Sequence, residues 1–306
     1  MSLSGLSLRD LEYVVAVADR ASFVQAAAHC HVSQPSLSIQ IRKLERWLGA
    51  PIFERTSRRV LITESGRRFI DQARRVLSEA RLLEQLTRAA DKPFGGTLRL
   101  SAIATLGPYL FPKVLAHLKP AYPELGLVLG EGLTDTLLAS LREGSLDAVI
   151  LSQPLADPAF RWSPLFQEPF VLACPLNRKI SHSAEELWKS LAAQERLLLG
   201  EGHCLRNQTL AGCSDVGNAD RHGTSLETLK YMVAAGEGCT LIPALAATKT
   251  SGIRYSDLPK TDFCRDIILA WRRSDARTGE FEGFARTLRK ITGAVPVLVA
   301  SKLDAH

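Results

Sequence analysis

The residues best equipped for chemistry lie in one run, Gly202-His203-Cys204-Leu205-Arg206-Asn207-Gln208-Thr209-Leu210-Ala211-Gly212-Cys213. Cys204 and Cys213 stand nine positions apart, and the first is flanked by a histidine and an arginine. An ordinary thiol has a pKa of about 8.5, so little of it is thiolate at neutral pH. Cationic neighbours such as His203 and Arg206 favour the thiolate, the form that attacks oxidants. A second thiol in the same segment can capture the resulting sulfenic acid as a disulfide. Spacing alone leaves a plainer reading equally open: two unrelated cysteines in a chain that holds six.

Geometry narrows the first reading. A helix throughout would hold the two Cα atoms about 13 Å apart, and a strand about 30 Å. A disulfide needs roughly 4.4–6.8 Å. The bridge closes only if the segment bends back on itself, so a regular reduced form would have to refold on oxidation. What that change would control depends on the elements around it.

At 306 residues the chain has room for two domains or more. With 46% apolar and 23% charged residues it has the composition of a soluble globular protein. No apolar run approaches the roughly 18 residues of a membrane span, and the N-terminus lacks a basic and then apolar leader. A cytoplasmic protein without membrane contact is expected, in a compartment where thiols stay reduced and a disulfide is a signal or an intermediate. Charge is unevenly spread. Between Arg42 and Arg81 eleven Arg and Lys face five Asp and Glu, an excess that by itself accounts for the net charge of +6. The basic part of the chain is its N-terminal part, as in a phosphate-binding module.

That part reads as helices. Leu8, Leu11, Val14 or Val15, and Ala18 recur at helical spacing after Ser7, a suitable N-cap. A short second helix spans Ser22 to Cys30, a turn follows at His31-Val32, and Ser33 caps a third helix with Pro35 tolerated in its first turn. Leu37, Ile41, Leu44 and Leu48 share one face of that helix, whereas Pro35, Ile39, Arg42, Lys43 and Arg46 share the other, with Ser38 at the border. Phe53 to Thr63 then reads as a hairpin with a basic tip, Arg58-Arg59. The pattern is a winged helix-turn-helix, residues 1–63, whose basic half would lie on double-stranded DNA. A plain three-helix bundle with a solvated basic face is the competing reading.

From Glu64 to Ala90 the residues Phe69, Ala73, Val76, Ala80, Leu83 and Ala90 repeat at steps of four and three, broken only at Thr87. This is a coiled-coil seam on a long linker and dimerisation helix, residues 64–92, unless the stripe packs on its own domain. Asp91 to Gly96, with proline and two glycines, marks a boundary. Beyond it, strand-like runs (97–102, 125–129, 146–151) alternate with helical ones (107–118, 134–142), which predicts a parallel sheet. Ligand sites in such sheets lie past the carboxyl ends of the strands, and Thr105 and Thr134 fall there. A second block opens at Phe170 and takes in the cysteine run, a helix from Ser225 to Ala235 and a strand at Cys239-Thr240-Leu241-Ile242. A late strand at 267–271 and a closing helix from Thr278 to Ile291 end the pattern. Cys30, Cys174, Cys239 and Cys264 read as inert core thiols. No Cys/His spacing suits a structural metal and no dinucleotide fingerprint is present, so no metal and no cofactor is expected.

Ala26-Ala27-Ala28, the run Ser33-Gln34-Pro35-Ser36-Leu37-Ser38, Lys43-Leu44-Glu45, Leu48-Gly49, Phe53-Glu54-Arg55 and Thr63-Glu64-Ser65-Gly66 together closely resemble the LysR-type transcriptional regulators. The resemblance implies that Gln34, Pro35, Ser36 and Ser38 sit at base-reading positions and that Arg58 or Arg59 enters the minor groove, with Arg42 and Lys43 on phosphates. Ile39 stands where many relatives carry arginine. An α/β effector domain over 93–306 is further implied, made of two Rossmann-like lobes of periplasmic-binding-protein type. Lobe I would cover about 93–166 and 272–306, and lobe II about 167–271.

Thr105-x-Gly107-Pro108-Tyr109-Leu110, His203-Cys204-Leu205-Arg206-Asn207-Gln208, Cys213, Thr224 to Leu229 and Met232 to Gly236 resemble the hydrogen-peroxide-sensing members of that family. By that likeness Cys204 is the peroxidatic and Cys213 the resolving cysteine, and Thr105, Thr134, His203, Arg206, His222 and Arg265 support the peroxide site. Hydrogen peroxide, DNA, further copies of the chain as a dimer of dimers, and RNA polymerase are the implied partners. The expected function is transcriptional regulation switched by a reversible disulfide, with no enzymatic turnover. Two other readings stay open: a regulator controlled by a small anionic metabolite, its cysteines incidental, and a thiol peroxidase whose N-terminal domain only oligomerises.

Overall fold

A computed structural model describes residues 5–55, 60–88, 94, 96–153, 155–178, 183–210, 222–259 and 262–294. The chain divides into two compact units, Met1–Lys92 with Glu143–Ser145, and Pro93–Arg142 with Leu146–His306.

In the first unit, α1 (Leu8–Arg20) begins where Ser7 and Asp10 form a reciprocal capping box. Helix α2 (Phe23–His29) starts at the Ser22 cap, and α3 (Gln34–Leu48) starts at Ser33, with Pro35 in its first turn. It stops at Gly49, whose φ of 71° is the left-handed conformation that glycine adopts without strain. Leu37, Ile41 and Leu44, each worth about 1.5–3 kcal/mol of transfer free energy, are buried with Val14, Val17 and Ala26. The wing strands β1 (Phe53–Arg55) and β2 (Val60–Ile62) pair antiparallel. Helix α4 (Glu64–Arg88) follows. Thr63 fixes its start: its hydroxyl donates to the Pro51 carbonyl and accepts from the Gly66 N–H. A Cβ at Gly66 would lie 2.1 Å from the Ile52 carbonyl oxygen, so only glycine fits this approach.

The stripe on α4 divides. Ala73 is buried with Leu77 against Leu11 in the chain's own domain, and Ile70 joins the helix-turn-helix core. Val76 (39%) and Leu83 (67%) stay exposed. Ala90 lies outside the described residues.

The second unit holds β3 (Gly96–Ile103), α5 (Gly107–Ala121), β4 (Leu125–Gly132), α6 (Thr134–Glu143), β5 (Ala148–Leu151) and β6 (Phe160–Pro175). Next come α7 (Ala184–Ser190), β7 (Leu198–Leu199), α8 (Cys204–Leu210), β8 (His222–Gly223) and α9 (Leu226–Ala234). The last elements are β9 (Thr240–Pro243), β10 (Ile253–Asp257), β11 (Cys264–Arg272) and α10 (Thr278–Ala294). Strands β4, β3 and β5 are parallel neighbours, as the alternation predicts. The remainder of the sheet is antiparallel: β11 pairs with β5 and β6, and β6 with β9 and β10. The sheet is mixed because β6 runs on for 16 residues and serves both halves.

Each half has its own hydrophobic core. One gathers β3, β5, α5 and α10 around Trp271, Phe281 and Phe284. The other gathers the far half of β6, β9 and α9 around Phe170 and Trp188. Under the first core lies a buried ion network in which Arg99 and Arg277 hold the Asp147 carboxylate and Arg272 and Arg277 hold Asp275. Among the described residues no helix is long and apolar enough to cross a membrane.

Candidate functional site

The carboxyl ends of β4, β3 and β5 lie side by side and face the segment that carries Cys204. The turns after β3 and β4 are tied by the Ala104 N–H donating to the Gly132 carbonyl at 3.0 Å. The middle strand delivers Thr105, which is buried. Leu133 leads into Thr134, the first residue of α6, and a Cβ built on Gly202 would meet Leu133 Cδ1 at 3.1 Å. Gly202 has a φ of 86°, so glycine is required there for the backbone turn and is crowded there by Leu133. The third strand, β5, delivers Ser152.

Cys204 opens α8 and is half-buried as a free thiol. Its Sγ lies 2.9 Å from Ser152 Oγ. Gln208, one helical turn on and so on the same face, donates its Nε2 to the Ser152 carbonyl at 3.0 Å and to Ser152 Oγ at 3.3 Å. That donation occupies an acceptor position on the hydroxyl and leaves its proton free to point at the sulfur. Among the described residues, Gln208 Oε1 is buried with no hydrogen-bond partner.

The neighbours in sequence are arranged otherwise. Arg206 is two residues along the helix, on the far side from Cys204, and its guanidinium donates to the Leu199 carbonyl at 3.0 Å. Burial holds the His203 imidazole below its ordinary pKa, which favours its neutral form. Neither is a cation directed at the sulfur by virtue of adjacency. His222 starts β8, opposite Leu198; it is exposed, and its ring approaches the Gly200 position. Cys213 lies outside the described residues.

Arg265 and Thr105 are brought together. Arg265 donates Nη1 to Thr105 Oγ1 at 2.9 Å and Nη2 to the Thr105 carbonyl at 3.0 Å. Its Nε donates to Glu168 Oε2 at 2.9 Å, and both charged side chains are 0% exposed. Glu168 and Arg265 are register partners on β6 and β11. The other carboxylate oxygen accepts from the Leu245 N–H at 3.0 Å, so the buried pair is satisfied on both sides. Tyr109 on α5 donates to Glu227 on α9 at 2.9 Å, and Lys230 pairs with the same carboxylate at 2.6 Å. Burial, then that bond, raises the Tyr109 phenol well above its usual value. Two stretches singled out in the sequence thus meet across the halves. Among the described residues no three of His, Cys, Asp and Glu gather as a metal site.

Sequence reasoning missed Ser152 and Glu168. Ser152 follows the last residue of a parallel strand, the same position that singled out Thr105 and Thr134. Glu168 is an acid inside an otherwise strand-like run, a placement that needs a buried partner.

In the first unit Gln34, Pro35, Ser36, Arg42 and Lys43 are exposed along α3, as is Ile39 (60%). Ser38 is turned inward with Leu37 and Ile41 and is buried. Ser36 Oγ lies 2.7 Å from the Ser33 hydroxyl at the helix start. Arg58 and Arg59 lie outside the described residues.

Comparison with known proteins gives a consistent answer. Residues 8–67 match the bacterial regulatory helix-turn-helix protein of the lysR family, and residues 91–292 match the LysR substrate binding domain. The chain is 41% identical over 291 residues to a hydrogen peroxide-inducible genes activator of Pectobacterium carotovorum, covering 93% of this chain and 96% of that one. It is 42% identical over 290 residues to the DNA-binding transcriptional dual regulator OxyR of Escherichia coli, covering 93% and 95%. Among solved structures, a full-length OxyR variant from Pseudomonas aeruginosa superposes with a TM-score of 0.73 at 34% identity, covering 93% and 95%. A hydrogen-peroxide-bound OxyR variant from Corynebacterium glutamicum gives 0.59 at 29% identity, covering 94% of each chain.

Proposed function

The chain belongs to the LysR family of bacterial transcriptional regulators, and from that premise we propose that it is a DNA-binding regulator that senses hydrogen peroxide through Cys204. Peroxide oxidises Cys204 to the sulfenic acid with release of water, and Cys213 displaces a second water to form a disulfide. The observation that carries this reading is the half-buried Cys204 thiol held 2.9 Å from the Ser152 hydroxyl at the carboxyl end of β5. A thiolate that attacks peroxide pushes negative charge onto the departing oxygen, and hydroxyl donors beside the sulfur stabilise it. Ser152 and Thr105 are candidate donors, with Thr134, His203, Arg206 and His222 in or near the surrounding segments. Arg265 acts through Thr105, which it holds in place.

The coupling to structure follows from α8. Its helical rise carries the chain about 9 Å from Cys204 by Leu210, which is more than a disulfide spans. Pairing with Cys213 therefore requires the chain to turn back beyond Leu210 or the helix to unwind, and it draws the Cys204 sulfur away from Ser152. On DNA, Gln34, Pro35, Ser36, Arg42 and Lys43 form the exposed α3 surface, Arg58 and Arg59 the wing contacts, and Ser38 supports the helix from inside. The assembly is a dimer of dimers joined in part through α4, and RNA polymerase is the downstream partner. Arg265 is already paired with Glu168, so its guanidinium is not a free counter-charge for a small anionic metabolite.

The test is oxidation with near-stoichiometric peroxide followed by peptide mapping. A Cys204–Cys213 linkage is expected. Cys204→Ser abolishes fast oxidation, whereas Cys213→Ser traps a sulfenic acid on Cys204 that a dimedone-type probe labels. Equal loss of reactivity in the two variants, or labelling of Cys213 in Cys204→Ser, overturns the assignment.

A further inference from the structure

The register of β6 against β9 places two further cysteines opposite each other. Phe170, Val171, Leu172 and Ala173 pair in turn with Pro243, Ile242, Leu241 and Thr240, so the next step sets Cys174 against Cys239. The backbone of Cys239 faces away from β6. Its N–H donates to the Glu195 carbonyl and its own carbonyl accepts from Leu197, through a parallel bridge at Arg196. A residue that spends both backbone groups on one neighbour presents a non-hydrogen-bonded position to the other. Antiparallel pairs of that kind have Cα atoms about 4.5 Å apart with side chains on one face, inside the range a disulfide accepts. Both cysteines are free thiols with no exposed surface. They are also unlike each other: Cys174 donates a hydrogen bond that, against burial and with help from Arg178, lowers the Cys239 thiol, and the same bond with burial raises Cys174.

We propose that Cys174 and Cys239 are a second redox pair, built into the core of the far half of the sheet and independent of the Cys204 segment, that closes to a cross-strand disulfide under sustained peroxide. One of the two thiols, as thiolate, attacks one peroxide oxygen and becomes a sulfenic acid as the other oxygen leaves, protonated, as water. The sulfur of its partner then displaces the hydroxyl, which takes up the partner's thiol proton and leaves as a second water. In total, two thiols and one peroxide give one disulfide and two waters. Full burial makes this pair slower than a half-buried thiol, because oxidant reaches it only through local opening. The bond would pin β6 to the strand that, through the Arg196 bridge, carries β7 and then the loop to Cys204.

The experiment uses the folded full-length Cys204→Ser/Cys213→Ser protein, which removes the first pair and leaves four cysteines of the six. It is incubated with excess hydrogen peroxide, denatured, alkylated and mapped by peptide mass. The expected result is loss of two alkylatable thiols, one linked peptide joining Cys174 to Cys239, and a higher melting temperature, all reversed by dithiothreitol. The same linkage is sought in the unsubstituted protein, where it is read separately from Cys204–Cys213. Four alkylated thiols, linkage to Cys30 or Cys264, or a Cys174–Cys239 bond that forms only in urea would each overturn the proposal. None of these outcomes bears on the role of Cys204.

Discussion

Cys204 Sγ and Ser152 Oγ meet at 2.9 Å, the first from the opening turn of a short helix and the second from the end of a parallel strand 52 residues earlier. Gln208 holds the hydroxyl there. Replacing Ser152 by alanine is expected to slow the reaction of Cys204 with peroxide by about tenfold, the worth of one hydrogen bond made to developing charge. Stopped-flow measurement of the second-order rate constant checks this; an unaltered rate would mean that the contact is only a packing detail.

Glu168 and Arg265 form a pair that is stable only while complete. Glu168→Ala strands a guanidinium with no exposed surface and should cost about 3–5 kcal/mol in urea unfolding. Thr105 would lose its fixed position as well, because the same guanidinium holds it through two bonds. A loss below about 1 kcal/mol, the ordinary range for an exposed pair, would contradict this burial.

Acid should weaken the regulatory unit through Asp147. Burial pushes its carboxyl up, but Arg99 and Arg277 outweigh that and hold it below the ordinary 3.8. A carboxyl depressed in the folded state stabilises above its unfolded pKa, and that contribution is lost as pH falls through the folded value. Asp147→Asn is therefore expected to be less stable than the parent at neutral pH by about 1–3 kcal/mol, with the gap closing below pH 3.8. Denaturant titrations across pH would show it; a gap that widens in acid would reverse the sign.

Leu83 and Val76 remain exposed on α4 while Ala73 and Leu77 pack at home. Leu83→Glu is expected to lower the solution mass measured by light scattering, at unchanged helix content. An unchanged mass would remove this stripe from the assembly.

Much of this was legible in the residues, for local reasons. Ser7 and Ser33 mark helix starts because a side-chain oxygen can satisfy an orphan N–H within three positions. The wing and α4 followed from composition and period. The seam was read too simply: a step of four and three lists one stripe, yet Ile70 and Leu77 share the helix and bury against the domain instead. Sheet direction was half right, because alternation of strand and helix speaks only for β3, β4 and β5. Around Cys204, reading along the chain singled out Arg206, whereas the helix turns it away and brings Gln208 round. Local signals mark Ser152 and Glu168, but their partners Cys204 and Arg265 lie 52 and 97 residues away, and no local pattern names them.

One strand passing through both halves has a mechanical meaning. β6 extends about 50 Å and is stitched to β11 along its first part and to β9 and β10 along its second. It works as a keel. Any motion of one lobe against the other has to bend or twist this shared strand. On the proposed reading, a change at Cys204 would recast the surface around α8, at the side of the strand that both lobes share.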